Sequence, residues 1–324
     1  MYQKKNFLNA AEALSGIIKQ TPLLWSKSLN EYLGYNLYLK AECLQLTGSF
    51  KLRGAYYCMD REFASNGKRD VVAFSSGNHA QGVALAAKMQ NVKATIVMPS
   101  DAPESKIKNT IALGGDVIFY DRYNESREEI AKELSSDSGA FLIPAYDHHD
   151  VICGQGTVGM EAFHQMANIG QSLDRFYCPV GGGGLIAGSS SALNIFNPDV
   201  TIIGVEPESL NDTQKSMASG KRESIKTQPD TLCDSLMAET PGEITFKINQ
   251  SMVSCIDTVT DEQVIQSMSL AFNELGIIVE PGGAASLAAA ISAMNQKAVD
   301  PDESIVVVLS GGNISKERHQ NLIN

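Results

Sequence analysis

Val71-Val72-Ala73-Phe74-Ser75-Ser76-Gly77-Asn78-His79-Ala80-Gln81-Gly82 is the stretch from which the architecture can be read. A short apolar run gives way to a turn of small and polar residues, and an alanine-rich helical pattern follows to Gln90. The unit then repeats. Ala94 to Met98 reads as a strand ended by Pro99, and Pro103 to Leu113 as a helix with proline at its start and Gly114-Gly115 at its end. Val117 to Tyr120 is a strand, Asn124 to Leu134 a charged helix, and Phe141 to Ile143 another strand. The order β-α-β-α-β-α-β predicts a parallel sheet with helices on its faces.

A second α/β set follows Pro144-Ala145. The pattern predicts a helix over 156–169, a strand over 175–180, four glycines at Gly181 to Gly184, and a helix over 185–196. Val200 to Val205 reads as a strand ending at Glu206. Residues 218–242 are polar and irregular, Thr260 to Leu275 is amphipathic, Gly282-Gly283 opens an alanine-rich helix, and Ile305 to Leu309 is a buried-type strand. On the N-terminal side, residues 6–18 are helical in pattern, Thr21-Pro22 breaks the helix, and Asn36 to Ala41 alternates like a strand. Two α/β lobes are expected, the second completed by residues that precede Lys51.

The composition is that of an ordinary globular chain of 324 residues, with net charge -11. Such an acidic balance argues against nucleic acid or an anionic membrane as partner. No apolar run approaches the roughly 20 residues of a spanning helix. Six scattered cysteines without a CxxC pair read as reduced thiols. With no signal peptide expected, the cytoplasm is the expected compartment.

Three turns and one lysine carry the chemistry. Lys51 lies in Thr47-Gly48-Ser49-Phe50-Lys51-Leu52-Arg53-Gly54-Ala55, between an aromatic ring and an aliphatic chain. Burial disfavours a charged amine, and a neutral amine is a nucleophile towards aldehydes. The competing account is a packed stem with its head in water. Gly181 to Gly184 follow a strand and open a helix, so their N–H groups can cradle a phosphate. Ser75-Ser76-Gly77-Asn78-His79 is a second strand-to-helix turn. It suits a small carboxylate or, more plainly, ordinary helix capping. Ser310-Gly311-Gly312-Asn313 is a third. Gly182-Gly183-Gly184-Leu185-Ile186-Ala187 also fits a relaxed dinucleotide fingerprint, with Glu206 as its ribose-binding acid. A nicotinamide-dependent oxidoreductase is therefore an alternative, although it leaves Lys51 without a role.

Together these motifs resemble, in order and spacing, the fold type II pyridoxal phosphate enzymes, in particular the threonine dehydratase and serine racemase group. The resemblance covers nearly the whole chain. It implies two-domain α/β open twisted sheets with flanking helices, of the tryptophan synthase β type. The implied large cofactor domain takes residues 1–52 and 146–324, and the small domain residues 53–145. It implies that Lys51 binds pyridoxal 5'-phosphate covalently and acts as base, with Phe50 packed beside it. Gly181, Gly182, Gly183, Gly184 and Leu185 would hold the phosphate, Asn78 the ring hydroxyl and Ser310 the pyridine nitrogen. Ser75, Ser76, Asn78 and His79 would bind the substrate carboxylate.

The implied activity is a dehydratase converting L-threonine or L-serine to a 2-oxo acid and ammonia. Racemisation of serine, with Ser76 as second acid–base, is implied as a side activity; serine racemase or threo-3-hydroxyaspartate ammonia-lyase as the main activity are the alternatives within the group. Arg127 matches a family arginine and could favour a second carboxylate; a surface pair with Glu128 or Glu129 is the plainer account. Glu206, Leu210 and Asp212 resemble the group's magnesium or calcium loop, and hard oxygen ligands suit either ion. The segment from Asp230 to Thr245 departs from the family wording near Asp234-Ser235, where it is expected to border the substrate. A homodimer or homotetramer is expected, without an appended regulatory domain.

Overall fold

The computed structural model describes residues 2–225 and 231–324. Ten strands are found among them: β1 (Leu23–Leu24), β2 (Asn36–Lys40), β3 (Val71–Phe74), β4 (Ala94–Pro99), β5 (Gly115–Tyr120), β6 (Phe141–Leu142), β7 (Arg175–Pro179), β8 (Thr201–Pro207), β9 (Cys255–Val259) and β10 (Ser304–Val308). They form a six-stranded sheet in the order β1-β2-β10-β7-β8-β9 and a four-stranded sheet in the order β5-β4-β3-β6. All pairs are parallel except β1 with β2. Parallel strands need helical crossovers, and these cover the faces of both sheets. β2 and β10 are buried along almost their whole length, which accounts for the unbroken apolar run at 305–309.

Differences from the sequence pattern lie at element boundaries and in short elements that the pattern did not predict, among them the helices Lys27–Leu33, Asp212–Ser219 and Lys316–Ile323. The helix expected over 156–169 runs from His149 to Asn168 and starts a full two turns earlier. The Nδ1 of His148 accepts from the Asp150 N–H at 3.2 Å, a capping role not read from a histidine. The helix expected from Asn124 begins at Arg127, because Ser126 Oγ caps the Glu129 N–H. The helix Glu243–Met252 and edge strand β9 had no expected counterpart. Asp230, which opens the segment expected beside the substrate, lies outside the described residues; Thr231 to Thr245 lie within them.

Three helices in close contact set the distances around the site. The helix Lys51–Asn66 packs on His149–Asn168, which packs on Gly184–Phe196. A Cβ at Gly188 would lie 2.2 Å from the Ile152 carbonyl oxygen, so only glycine permits the second approach. A charged cluster anchors the first helix. Arg53 is fully buried, forks onto Glu42 at 2.8 Å through Nε, and meets Glu161 at 2.7 Å through Nη1. Lys40 reaches the same Glu161 at 2.7 Å. Burial alone would raise the Glu42 carboxyl, but the Arg53 guanidinium, together with Lys40 and the Thr21 hydroxyl, more than offsets it and holds the group below its usual range. Removing one member of such a cluster costs about 3–5 kcal/mol, because an unpaired buried charge is left behind. No described helix is long and apolar enough to cross a membrane.

Candidate active site

The three turns and Lys51 meet at one cavity between the sheets. Its walls include Phe50, Lys51, Asn78, Gly181 to Gly184, Leu185 and Ser310, joined by Tyr146, Pro179, Ser235 and Leu236. Backbone pairing places the lysine stretch. Phe50 N–H donates to Ser310 O at 3.2 Å and Gly312 N–H to Gly48 O at 2.8 Å, so residues 48–50 run as an extra antiparallel edge beyond β10. Lys51 then begins its helix directly beside Ser310.

The Lys51 amine has one hydrogen-bond partner among the described residues, Ala145 O at 2.9 Å, and lies 5.2 Å from the centre of the Phe50 ring. Burial lowers its pKa to about 8. The sequence expectation of a partly neutral amine therefore has a structural basis.

The glycine turn is built as a cradle. Thr245 Oγ1 donates to Gly182 O at 2.7 Å, and Asn249 Nδ2 approaches Gly183 O at 3.5 Å. These bonds tie down the Gly182 and Gly183 carbonyls, and peptide planarity turns the Gly183 and Gly184 N–H groups the opposite way. Asp147 fixes Thr245 in turn, accepting from the N–H groups of Glu243, Ile244 and Thr245 at 2.9, 2.8 and 3.1 Å. Gly183 has φ +88°, a left-handed conformation that side chains rarely adopt. A Cβ on Gly182 would meet the Tyr146 ring at 2.4 Å. A cradle that any side chain would fill, at a helix N-terminus and beside a buried amine, fits a dianionic phosphate.

Asn78 is oriented by a chain of amides. The Asn313 Nδ2 group donates to Thr47 O at 2.8 Å, which fixes its orientation because a carbonyl only accepts. It also donates to Asn78 Oδ1 at 2.6 Å. Asn78 must then point its Nδ2 at Glu280 Oε1, at 2.5 Å, leaving one N–H for another acceptor. Glu280 is fully enclosed, and burial raises its carboxyl to about 7, with Asp234 raising it further and Asn78 and Lys106 opposing. Glu280 and Tyr146 were not anticipated from the sequence, whereas Ser235 lies in the segment expected to border the substrate and does line the cavity. Glu280 follows an unremarkable apolar run, and only the 202-residue separation from Asn78 closed by the fold gives it meaning.

The remaining expected residues divide. Gly77 N–H is bonded to Ser75 Oγ at 3.1 Å, and Ser76 makes no capping bond to the helix Asn78–Gln90. The capping account of Ser76 is therefore not what the structure shows. The His79 side chain is not free to bind a carboxylate: its Nε2 meets Ile143 O at 3.1 Å, and burial, with the Lys51 charge, lowers its pKa to about 3. Only its backbone N–H remains for that task. Arg127 lies over the Phe74 ring at 5.5 Å and pairs through Nε with Glu128, as the plainer account has it.

Glu206 is not placed for a ribose. Both its oxygens cap the next helix, accepting from Thr213 and Gln214 N–H at 3.0 and 2.9 Å. That geometry overturns the dinucleotide role. Asp212 is buried, and its Oδ2 has no hydrogen-bond partner among the described residues. Burial raises Glu206 to about 7 and, with Glu206 as neighbour, Asp212 to about 8. No group of three or more acids, histidines or cysteines with metal-binding geometry occurs among the described residues.

Comparison with known proteins agrees with this geometry. The family model described as pyridoxal-phosphate dependent enzyme matches residues 14–311. The chain belongs to that family. Within it, the chain is similar to the L-threo-3-hydroxyaspartate ammonia-lyase of Saccharomyces cerevisiae, at 40% identity over 98% of this chain and 94% of that protein. It is 39% identical to the serine racemase of Schizosaccharomyces pombe, over 97% of this chain and 95% of that protein. The solved processed form of threonine deaminase isoform 2 from Solanum lycopersicum superposes with a TM-score of 0.90 at 33% identity, covering 98% of this chain and 92% of that one. The chain is thus a fold type II pyridoxal phosphate enzyme of the ammonia-lyase and racemase group, and the nicotinamide alternative falls.

Proposed function

We propose that the chain is an ammonia-lyase for L-threo-3-hydroxyaspartate, releasing ammonia and a dicarboxylic 2-oxo acid. This reading replaces L-threonine or L-serine as the first-choice substrate; both remain as slower substrates. The observation that carries it is the 40% identity, over 98% of this chain, to two proteins of that activity. Arg127, although paired with Glu128, lies over Phe74 next to the Ser75–His79 turn and adds positive potential there. A cation at that place attracts a second carboxylate.

When bound, the cofactor supplies the electron sink for charge developing at the substrate Cα. Lys51 would hold it, and its amine, lowered in pKa by burial, would serve as the base for the substrate Cα proton. The N–H groups of residues 181–185 hold the phosphate, Asn78 offers its remaining N–H to the ring oxygen, and Ser310 offers a neutral hydroxyl to the ring nitrogen. A neutral hydroxyl there would supply no proton to that nitrogen, a setting suited to elimination. Ser75, Ser76 and the N–H groups of Asn78 and His79 hold the substrate's α-carboxylate. The uncommitted hydroxyl of Ser76 supports a minor racemase activity. Glu206, Asp212 and the Leu210 carbonyl bind magnesium or calcium, a reading supported by the unpartnered buried Asp212 oxygen.

The test is ammonia release by the cofactor-loaded protein from threo-3-hydroxyaspartate, L-serine and L-threonine. A kcat/KM for hydroxyaspartate no higher than for the other two would refute the substrate assignment.

A further inference from the structure

A second cation lies at the other end of the carboxylate-binding turn. Lys106 projects from the helix Glu104–Ala112, and its Nζ is 3.9 Å from where a Gly77 Cβ would stand. Gly77 lies directly between Ser76 and Asn78, at the centre of the proposed substrate cradle. Across the cleft, Lys106 Nζ meets Asp234 Oδ2 at 2.6 Å. Asp234 immediately precedes Ser235 and Leu236, which line the cofactor cavity. The side chains are 14% and 31% exposed, so the pair is partly desolvated yet open to the cleft. Arg318 Nη1 approaches the same Asp234 oxygen at only 4.0 Å. The described surroundings therefore supply Asp234 with a second cation should Lys106 turn away.

Resting on the hydroxyaspartate reading, we infer that Lys106 is a specificity-determining residue that binds the substrate's distal carboxylate, and that Asp234 holds its place in the empty site. The exchange is of like for like. A carboxylate 2.6 Å from Nζ is replaced by another on a ligand seated at Gly77, while Asp234 passes to Arg318. Monocarboxylic substrates leave the Lys106–Asp234 pair intact, so the pair counts only in the choice between one carboxylate and two. Discrimination then has an attractive part, Lys106, and a competing part, Asp234.

The test uses L-aspartate and L-alanine, which carry no β-hydroxyl, titrated calorimetrically into the cofactor-loaded protein. Lys106→Met should raise the Kd of L-aspartate roughly tenfold while moving that of L-alanine less than about twofold. Asp234→Asn should tighten L-aspartate severalfold, because the competitor has lost its charge. An equal loss for both amino acids in Lys106→Met, weaker L-aspartate binding in Asp234→Asn, or a wild-type protein that does not prefer L-aspartate would each overturn the inference. The two readings fail separately. A protein inert towards hydroxyaspartate that still selects L-aspartate through Lys106 loses the reaction and keeps the residue's role. One that turns over hydroxyaspartate with an indifferent Lys106 loses only the role.

Discussion

Asn313 donates its side-chain amide to Asn78 Oδ1 at 2.6 Å, so a residue close to the C-terminus orients one in the second strand-to-helix turn. The same amide holds Thr47 O, which joins three separate sequence motifs through one NH2 group. Asn313→Ala should leave Asn78 free to flip. The expected result is a fold that survives, at a cost of about 1–3 kcal/mol from the unpaired buried acceptors, with cofactor affinity weakened. Equilibrium dialysis of the cofactor checks this, and unchanged affinity would show that Asn78 needs no such support.

The Lys51 amine captures an aldehyde only when neutral. With its pKa lowered to about 8 by burial, the rate of cofactor loading into the apo-protein should climb with pH and level off above about 8. An unburied lysine would keep climbing towards 10.5. Stopped-flow absorbance reads the profile. Lys51→Ala should lose covalent attachment altogether, shown by borohydride treatment and peptide mapping.

Glu280 predicts a stability that falls as pH rises. Its folded pKa of about 7 exceeds the ordinary carboxyl value of 4.5, so the native state holds a proton that the unfolded chain has lost. The penalty is absent below about pH 4.5, grows as pH rises, and is complete above about 7, where it reaches at most about 3 kcal/mol. Glu280→Gln keeps the acceptor for Asn78 and removes the charge. In urea titrations of the apo-protein, it should flatten this part of the pH profile and match or exceed wild type above about pH 7. A wild-type slope unaltered by the substitution would show that Glu280 ionises freely.

Glu206 and Asp212, raised to about 7 and 8, make the same argument for a cation. Without metal, ionising either costs stability, so the native state weakens as pH rises towards 8. Added magnesium or calcium should therefore raise the melting temperature at about pH 8 and do little at about pH 6. Asp212→Asn should abolish the response while melting no lower than the metal-free wild type. A melting temperature indifferent to EDTA and to both cations at about pH 8 would end the metal reading.

Much of the site was legible because its signals are local. A lysine among apolar residues, four glycines after a strand and a polar turn before a helix each declare their chemistry within a short stretch of chain. The alternation of strands and helices over 71–143 declared the parallel sheet in the same way. What stayed hidden depends on partners far along the chain. Glu280 acquires its role from Asn78, Lys106 from Gly77 and Asp234, and Tyr146 from Gly182. The start of the helix at His149 was missed because the cap is a histidine, and β9 because an edge strand of five residues offers little apolar pattern.

The position of β10 has a consequence for how the protein is made. β10 lies between β2 and β7, yet of the ten described strands it leaves the ribosome last. Until Ser304 to Val308 emerge, β2 has no parallel neighbour, and residues 48–50 have nothing to pair with. Strands β3 to β6 come from one uninterrupted run and need nothing that is synthesised later to pair with each other. Vectorial synthesis therefore sets an order, with the four-stranded sheet closing first and the lysine joining its cavity only after β10 and Gly311 have emerged. Limited proteolysis of stalled nascent chains should find 71–143 protected well before 36–52. The reverse order would show that β2 finds a temporary partner.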